Sequence, residues 1–397
     1  MRLTRRHLLT SAAAGLAVRP LAAGQAPAAA APSGFDPWIE VHAAHLQHNL
    51  GEVARAAAGQ PILAVIKNNG YGLGVTTVAR QLEAAPAVAG FAVVKRQEAE
   101  AVRDAGVTKP VLLMGPVAAD ELADLQRRDI MPMVYTPMGA ALERAAASSG
   151  RPVRIHVCVD TGIGRVGVPH AQAEALIRDL ASRRGVAIAG VMMTFTEDLE
   201  FDREQLRRFE ALTGRLRSAG VAIGRRHAAS TYTLFQHPDA TLDMVRPGMA
   251  LWGIYPEPAF RTQGRLDLRP ALALRSRVAY VKKLAAGTSA GYSRAFMATG
   301  DTWVATVPVG HADGWPRIAA KGASVRIRGR HFPVVASVSA SHTIVDLGPD
   351  TDVQAGDVAT CFDWEPGSRP EDVAAACGAS VYDLTMHLGG HLPRRLI

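Results

Sequence analysis

Short apolar runs alternate with amphipathic segments through the first two thirds of the chain. The run from Pro61 to Ile66 contains no charged residue and ends at Lys67, which is typical of a buried strand in a parallel sheet. Each such run is followed by apolar residues at helical spacing, and the pair recurs at intervals of about 20–30 residues. The pattern predicts an α/β fold with enough units to close a (β/α)8 TIM-type barrel; an open doubly wound sheet is the alternative.

The predicted strands and helices alternate along the chain. Strands are predicted at 38–41, 61–66, 90–94, 111–114, 131–134, 153–159 and 187–193. Helices are predicted at 43–58, 76–84, 96–105, 118–127, 138–148, 171–182 and 203–219.

The pattern changes after Pro258. Beyond it the segments are short and rich in β-forming residues, and they include a run at 272–284; the only good helical pattern is near 370–377. Gly and Asp turns separate these segments, which is typical of an antiparallel β domain. We place the boundary near residue 262, so that 37–262 form the barrel and 263–397 form the β domain.

Residues 1–36 have the features of a signal peptide and linker. Two adjacent arginines, Arg5 and Arg6, precede a mildly apolar run of small residues and an Ala/Pro-rich stretch. The arginine pair resembles a twin-arginine signal, which predicts export of the folded protein to the periplasm. The apolar run is too short to remain as a membrane anchor, and a merely basic N-terminus is the alternative.

Composition argues against several classes of function. Hydrophobic residues make up 48% of the 397, so the chain can build a substantial core. The formal net charge is +8, but the basic residues are scattered without a dense run, so we do not expect nucleic-acid binding. Cys158, Cys361 and Cys377 lie far apart without metal-ligand spacing, which predicts no metal site and at most one disulfide.

Lys67 is the first candidate for chemistry. A lysine at the end of a barrel strand lies at the edge where such folds place their active sites. Apolar neighbours remove its hydration and lower its pKa, so it can form a Schiff base or act as a general base. The alternative is an ordinary solvated lysine at a strand end.

Four further segments carry candidate binding groups. Arg165 lies in a Gly-rich turn after a strand and could bind a phenolate or carboxylate. Thr231 belongs to a group of small hydroxyl residues, and Gly248 and Met249 lie in a turn whose backbone N–H groups could bind a phosphate. Tyr292 is flanked by Gly and Ser in the β domain. Taken singly, each segment is equally compatible with an ordinary turn.

Together, and in this order, these segments resemble the alanine racemase family, which are fold-type III pyridoxal-phosphate (PLP) enzymes. Residues 64–74 read Ala-Val-Ile-Lys-Asn-Asn-Gly-Tyr-Gly-Leu-Gly, like the family's PLP-lysine motif, and 243–248 read Asp-Met-Val-Arg-Pro-Gly, close to a family signature. The match continues at 308–315 and 345–348. The resemblance implies PLP as the cofactor and an amino acid as the substrate.

The resemblance implies two catalytic bases. Lys67 would hold PLP as a Schiff base and, once the substrate amine releases it, would act on one face of the α-carbon. Tyr292 would act on the opposite face, supplied across a head-to-tail homodimer. A racemase needs such a pair because the proton leaves from one face and returns to the other.

The resemblance also implies contacts to the cofactor and the substrate. Arg246 would face the ring nitrogen of PLP and keep it largely unprotonated, because arginine stays charged. Arg165 would lie near the cofactor phenolate and the substrate carboxylate. Four more residues match phosphate-binding positions: Tyr71, Thr231, Gly248 and Met249.

The chain departs from the family pattern around the cofactor. Thr194 stands in place of a histidine that packs on the ring, so we expect Arg246 to lack an imidazole neighbour. Cys158 replaces a lysine that family members often carry carbamylated; the thiol either simply packs there or leaves room for an anion such as chloride. Gly390 stands where a C-terminal tyrosine reaches the phosphate, and His311 where tyrosine is usual.

The substrate mouth also differs. Ala340 and Ser341 replace a methionine and an acid, and these smaller residues would admit substrates larger than alanine. The expected function is therefore racemisation of alanine or of a broad range of amino acids. The alternatives are another PLP-dependent reaction, of the epimerase, decarboxylase or aldolase type, and a non-catalytic PLP or amino-acid binding protein. Retention of both Lys67 and Tyr292 favours the racemase.

Overall fold

A curled sheet of parallel strands forms the first half of the computed structural model, which describes residues 34–397. Seven strands follow one another around the sheet, each pairing in parallel with the next. A two-residue strand at Val168–Pro169 pairs beside the fifth of them. The seven strands are Ile62–Val65, Val88–Val93, Val111–Leu113, Ile130–Val134, Val153–Asp160, Val186–Met192 and Arg225–His227.

A short segment at 244–247 closes this sheet into a ring. Met244 bridges His227 on the last strand, and Val245 bridges Ile62 on the first, both in parallel orientation. The predicted barrel is therefore confirmed. The open doubly wound alternative is wrong, because the first and last strands of an open sheet would remain unpaired at its edges.

Amphipathic helices pack around the barrel, because apolar residues at helical spacing follow the strands. The helix predicted at 118–127 begins only at Leu122, and the helix predicted at 203–219 begins earlier, at Leu199. Before Leu122, the Glu121 carboxylate accepts the Ala118 N–H at 2.7 Å and holds residues 118–121 in a turn. The helices are Ala43–Ala56, Val75–Glu83, Arg96–Asp104, Leu122–Arg127, Gly139–Ser149, His170–Ser182, Leu199–Ser218, Thr231–Gln236 and Pro258–Thr262, with 3-10 turns at Pro238–Thr241 and Met249–Trp252.

The C-terminal third forms most of a second, largely antiparallel sheet of nine strands, which confirms the predicted antiparallel β domain. The run at 272–284 is divided between two strands that lie apart in this sheet, because the N–H groups of Val278 and Ala279 bind the Asp357 and Thr306 carbonyls, respectively. From edge to edge the strands are Tyr280–Leu284, Thr302–Val307, Thr343–Gly348, Arg330–Val335, Ser324–Ile327, Val358–Phe362, Leu272–Arg277, Trp38–Val41 and Arg394–Leu396.

Smaller elements complete this half of the chain. The predicted helix at Pro370–Cys377 is present, and a second helix, Val381–Met386, follows it without having been predicted. Ser380 caps the second helix, because its hydroxyl accepts the Tyr382 N–H at 3.2 Å. The remaining elements are the hairpin Ser289–Ala290 with Phe296–Met297 and 3-10 turns at Tyr292–Arg294, His311–Asp313 and Arg317–Lys321.

The strand Trp38–Val41 belongs to the second sheet, although its position in the sequence predicts a place in the barrel domain. It pairs antiparallel with Leu272–Arg277 and parallel with Arg394–Leu396. Glu40 is the one polar residue of this strand, and it forms a 2.6 Å ion pair with Arg275 of the neighbouring strand. Trp38, Ile39 and Val41 are buried, so both faces of the strand are covered, and its pairing partners rather than its apolar pattern place it in the second sheet.

One apolar core extends from the barrel into the second sheet. It contains Ile62 and Phe91 on barrel strands, Trp252 beside the barrel, and Trp315 and Phe362 in the C-terminal third. The two sheets therefore share a continuous interior, so that a barrel strand end and the C-terminal helices can contribute to one site.

The predicted targeting signal lies outside the described residues. Between residues 34 and 397, no helix is long and apolar enough to cross a membrane. In the same range, no group of three or more His, Cys, Asp or Glu side chains is arranged to hold a metal ion. The three cysteines are buried free thiols.

Candidate active site

Lys67 directly follows the first barrel strand and Ile66. The three residues after it, Asn68, Asn69 and Gly70, have left-handed backbone angles, with φ between 53° and 62°. Asparagine and glycine tolerate this conformation better than other residues, which explains the Asn-Asn-Gly composition of the turn. The Asn69 side chain stabilises the turn, because its Oδ1 accepts the Val75 N–H at 3.0 Å.

The environment of Lys67 favours its neutral form. Burial lowers the pKa of the Lys67 ammonium, and the positive charge of Arg165 lowers it further. The carboxylate of Glu98 acts in the opposite direction and has the smallest of the three effects on this pKa. A neutral amine can act as a nucleophile or as a base, so Lys67 can fill both roles that the sequence predicts for it.

Tyr71, Thr231 and Gly248 converge on one small cradle. The Thr231 hydroxyl oxygen accepts the N–H groups of Gly248 and Ala250, both at 3.2 Å, so its own hydrogen is free to donate to a ligand. Only glycine fits at 248, because a Cβ there would lie 2.3 Å from the Tyr71 hydroxyl oxygen. Met249 begins a helical turn, and its N–H is one of the donors that such a turn leaves unpaired.

These groups fit the phosphate of PLP. Burial raises the pKa of the Tyr71 phenol, so this group stays protonated and can donate a hydrogen bond. Two hydroxyl donors and the Met249 N–H therefore surround a space that a side chain at Gly248 would fill. Donors without a competing carboxylate are what a phosphate requires.

Tyr382 is a neighbour of this cradle that the sequence did not single out. It lies near enough to Tyr71 to raise the pKa of the Tyr71 phenol by electrostatic interaction. Its helix contacts the Lys67 turn, where the Asn68 amide donates to the Met386 sulfur at 3.3 Å. Gly390 leaves the expected C-terminal tyrosine position without a phenol, but Tyr382 supplies one close by.

Arg246 has an imidazole neighbour, and the expectation that it would lack one is wrong. Its Nη1 lies 3.1 Å from His227 Nδ1 and donates to the His227 carbonyl at 2.7 Å. Its Nη2 donates to the Met193 carbonyl at 2.8 Å. Thr194 does not provide this contact; His227 does, because ring closure pairs His227 with Met244, two residues before Arg246.

His156 lies directly behind His227 and was missed by the sequence analysis. Its Nδ1 is 2.8 Å from His227 Nε2, and both rings are buried in the barrel. Burial and then the charge of Arg246 lower the pKa of His156 to about 3 and that of His227 well below its usual value. The only available signal was a histidine between apolar residues of a barrel strand, Ile155 before it and 157–159 after it.

Cys158 lies near the end of the fifth barrel strand, and Arg165 lies in the loop that follows that strand. The Asp160 carboxylate holds this loop by accepting the N–H groups of Gly162 and Gly164 at 2.9 and 3.2 Å. The charge of Arg165 acts on Lys67, Cys158 and Arg246, so the guanidinium shares their end of the barrel.

Cys158 is a buried, neutral thiol. Its Sγ contacts the Val166 carbonyl at 3.7 Å. Burial raises the pKa of the thiol to about 11, although the nearby Arg246 and Arg165 charges oppose the shift. Burial also lowers the pKa of Arg246 to about 10, which leaves its guanidinium charged at neutral pH.

Tyr292 does not join the barrel site within its own chain. Its side chain is 75% exposed, and it lies in a 3-10 turn in which Ser293 and Arg294 adopt left-handed angles. No hydrogen bond, ion pair or ring contact between residues 34 and 397 connects Tyr292 to Lys67. The turn packs on a neighbouring loop, where a Cβ at Gly291 would lie 2.5 Å from the Ala336 Cβ.

Ala340 and Ser341 lie in the same loop as Ala336 and are exposed. The Ala340 carbonyl accepts the Ala312 N–H at 3.0 Å, which links this loop to the segment that contains His311. The structure therefore gathers the predicted residues into two groups. Lys67, Tyr71, Arg165, Thr231, Arg246, Gly248 and Met249 belong to the barrel site, and Tyr292, Ala340 and Ser341 belong to an exposed edge of the C-terminal domain.

Two family models match the chain. The model of the alanine racemase N-terminal domain matches residues 41–256, and the model of the alanine racemase C-terminal domain matches residues 271–396. Together these matches cover both the barrel site and the exposed edge that contains Tyr292.

Curated relatives and solved structures agree with these models. Alanine racemase of Desulforamulus reducens is 32% identical over 366 residues, which cover 90% of this chain and 98% of the relative. That of Symbiobacterium thermophilum is 33% identical over 365 residues, covering 90% and 96%. The alanine racemase structure from Clostridium difficile 630 has a TM-score of 0.84 at 28% identity, covering 91% of this chain and 95% of that one. The enzyme from Streptomyces lavendulae has a TM-score of 0.85 at 28% identity, covering 92% and 98%.

Proposed function

Because the chain belongs to the alanine racemase family, it is a PLP-dependent amino-acid racemase, and we propose that it converts alanine and larger amino acids by a two-base mechanism. One observation carries the proposal. A half-buried lysine of lowered pKa, a donor-lined cradle and a buried arginine supported by histidine lie together at one end of the barrel.

In this proposal the barrel residues hold and orient the cofactor. Tyr71, Thr231, Gly248 and Met249 would bind the phosphate, and Arg246 would hold the ring nitrogen with donors that its protein contacts leave free. Bound PLP supplies an electron-withdrawing ring that stabilises negative charge at the α-carbon. The charge of Arg165 attracts the substrate carboxylate to the same place.

The two bases come from different parts of the fold. Lys67 would hold the cofactor, and its neutral amine would remove or return the α-proton on one face. Tyr292 of the partner subunit exchanges the α-proton on the opposite face. Its 75% exposure, and its position on the C-terminal domain, support a role outside its own chain. Lys67→Ala should lose both the visible absorbance of the bound cofactor and the racemase activity.

A hybrid dimer tests the head-to-tail arrangement. One subunit carries Lys67→Ala and the other Tyr292→Phe, each with a different affinity tag, so that tandem purification yields only heterodimers. If each site takes its tyrosine from the partner, one site has both lesions and the other has none, so activity returns to about half of wild type. If both bases came from one chain, every site would have one lesion and the heterodimer would be as inactive as the single variants.

The substrate range follows from the exposed edge. Ala340 and Ser341 are small and exposed, and they adjoin the loop that packs against the Tyr292 turn. We expect racemisation of alanine and also of longer side chains such as those of methionine and lysine. Ala340→Met with Ser341→Asp should reduce kcat/KM for the longer substrates more than for alanine. Equal losses for all substrates would contradict a role of these residues in selecting substrate size.

We also propose that the enzyme is exported to the periplasm in folded form. The support is the Arg5-Arg6 pair and the apolar run after it. Replacing both arginines with lysine keeps the charge but should retain the enzyme in the cytoplasm, as measured by fractionation of expressing cells. Unchanged export of the double variant would show that the pair is not the signal.

A further inference from the structure

A buried histidine that the proposed mechanism does not use lies one layer behind Arg246. His156 is 3% exposed, and its Nδ1 lies 2.8 Å from Nε2 of His227. His227 in turn presents Nδ1 to Arg246 at 3.1 Å. Arg246, His227 and His156 therefore form a chain of hydrogen bonds that begins at the cofactor site and ends inside the barrel.

The donors and acceptors in this row of hydrogen bonds determine which ring nitrogen of each histidine carries its proton. A guanidinium has donors only, so His227 Nδ1 must accept from Arg246. Since a neutral imidazole has one N–H, that of His227 lies on Nε2 and donates to His156 Nδ1. The proton of His156 is then on its own Nε2. Burial and the nearby charges of Arg246 and Arg154 lower the pKa of His156 and keep its ring neutral.

The neighbouring strand leaves room for His156. Gly190 pairs with His156 across the sheet, and a Cβ at Gly190 would lie 2.6 Å from His156 Nδ1. Gly190 has no left-handed backbone angle that would itself call for glycine. The missing side chain is therefore explained by the close approach of the imidazole that accepts from His227 and of the Arg225 carbonyl, which would lie 2.8 Å from that Cβ.

We propose that His156 is a positioning residue that holds His227 in the tautomer able to accept from Arg246. If His227 carried its proton on Nδ1, two N–H groups would oppose each other and Arg246 would keep only its two backbone acceptors, on His227 and Met193. The side-chain support for Arg246 thus comes from inside the barrel, through His227 and His156. The inference rests on the proposed place of Arg246 at the cofactor ring.

The first test measures tautomers in the cofactor-free protein. Nitrogen-15 NMR of protein labelled at histidine should show His156 and His227 neutral and protonated on Nε2 throughout the range in which the protein stays folded. Single His→Asn variants assign the signals. A His227 proton on Nδ1 in the unaltered protein would overturn the inference. This outcome is independent of whether the enzyme racemises alanine, so it separates failure of the inference from failure of the proposed function.

The second test compares two substitutions of similar size. His156→Leu removes the acceptor, whereas His156→Asn places an amide oxygen near the position of Nδ1. We expect His156→Leu to mix the His227 tautomers, to weaken PLP binding and to lower kcat by about tenfold with little change in KM, as for other partners that orient a histidine. His156→Asn should retain most of each property. Equal effects of the two variants, or an unchanged His227 tautomer in His156→Leu, would show that His156 only fills space.

Discussion

Replacing Gly248 with alanine probes the phosphate cradle with a single methyl group. The new Cβ would lie 2.3 Å from the Tyr71 hydroxyl oxygen and 2.8 Å from its Cζ. Both distances are far shorter than an ordinary carbon contact of about 3.5–4 Å. Tyr71 is 6% exposed and lies beside Trp252, so its ring has little room to withdraw. Overpacking of this kind destabilises a folded protein by about 1–3 kcal/mol.

The larger consequence concerns the cofactor. If the Tyr71 hydroxyl is displaced, the charged phosphate loses the hydrogen bond that this hydroxyl donates. A hydrogen bond to a charged group contributes about 1.5–3 kcal/mol. We therefore expect Gly248→Ala to bind PLP about 10- to 150-fold more weakly. The assay titrates cofactor-free protein and follows the visible absorbance of the bound cofactor. Pyridoxal, which lacks the phosphate, should bind wild type and variant with similar affinity, because the change is confined to the cradle.

A second glycine provides the control. Gly214 lies in the helix Leu199–Ser218, and a Cβ there would meet no atom within 4 Å. Gly214→Ala should bind PLP like wild type and should stabilise the helix by about 0.5–1 kcal/mol. Wild-type affinity of Gly248→Ala for PLP, or an equal loss of affinity for pyridoxal, would refute the assignment of the cradle to the phosphate.

Two further predictions follow from charges in the structure. Arg165→Gln removes a positive charge that lowers the pKa of Lys67, so the variant has less neutral Lys67 amine at a given pH. The pH profile for covalent capture of PLP by the cofactor-free variant should therefore move to higher pH. An unmoved profile would contradict the electrostatic role of Arg165. Glu40→Gln breaks the ion pair with Arg275 and should lower the free energy of unfolding by about 1–3 kcal/mol in denaturant titration; an unaltered midpoint would show that this pair does not stabilise the second sheet.

Local patterns in the sequence were enough to predict most of the fold and of the cofactor site. The apolar run before Lys67 and the Asn-Asn-Gly turn after it are both properties of neighbouring residues, and the structure has a strand and a left-handed turn there. The alternation of strand and helix patterns repeats along the chain, so the barrel could be predicted without any knowledge of which strands touch.

Non-local contacts account for the errors. His227 supports Arg246 because two segments 19 residues apart become neighbours when the ring closes, and His156 precedes His227 by 71 residues. Trp38–Val41 pairs with Leu272–Arg277, from the other end of the chain. No local pattern reports such a pairing, since its stabilisation comes from partners distant in sequence.

The neighbourhood of Tyr71 illustrates a different limit. The sequence has Gly390 where the family resemblance implies a tyrosine, so it predicts that the cradle lacks a phenol there. The structure supplies Tyr382 from a helix that was not predicted, near the same cradle. A phenol therefore lies near the cradle although Gly390 lacks one, and only the folded chain shows which positions lie close together in space.

Exchange of the α-proton in D2O tests the two-base mechanism most directly. Wild-type enzyme should incorporate deuterium into both L- and D-alanine. Tyr292→Phe should nearly abolish exchange from one enantiomer while leaving much more of it from the other, because Lys67 still serves one face of the α-carbon. Tyr280→Phe, which alters another exposed tyrosine of the C-terminal domain, should exchange both enantiomers like wild type. Equal, small losses for both enantiomers in Tyr292→Phe would contradict its assignment as the second base.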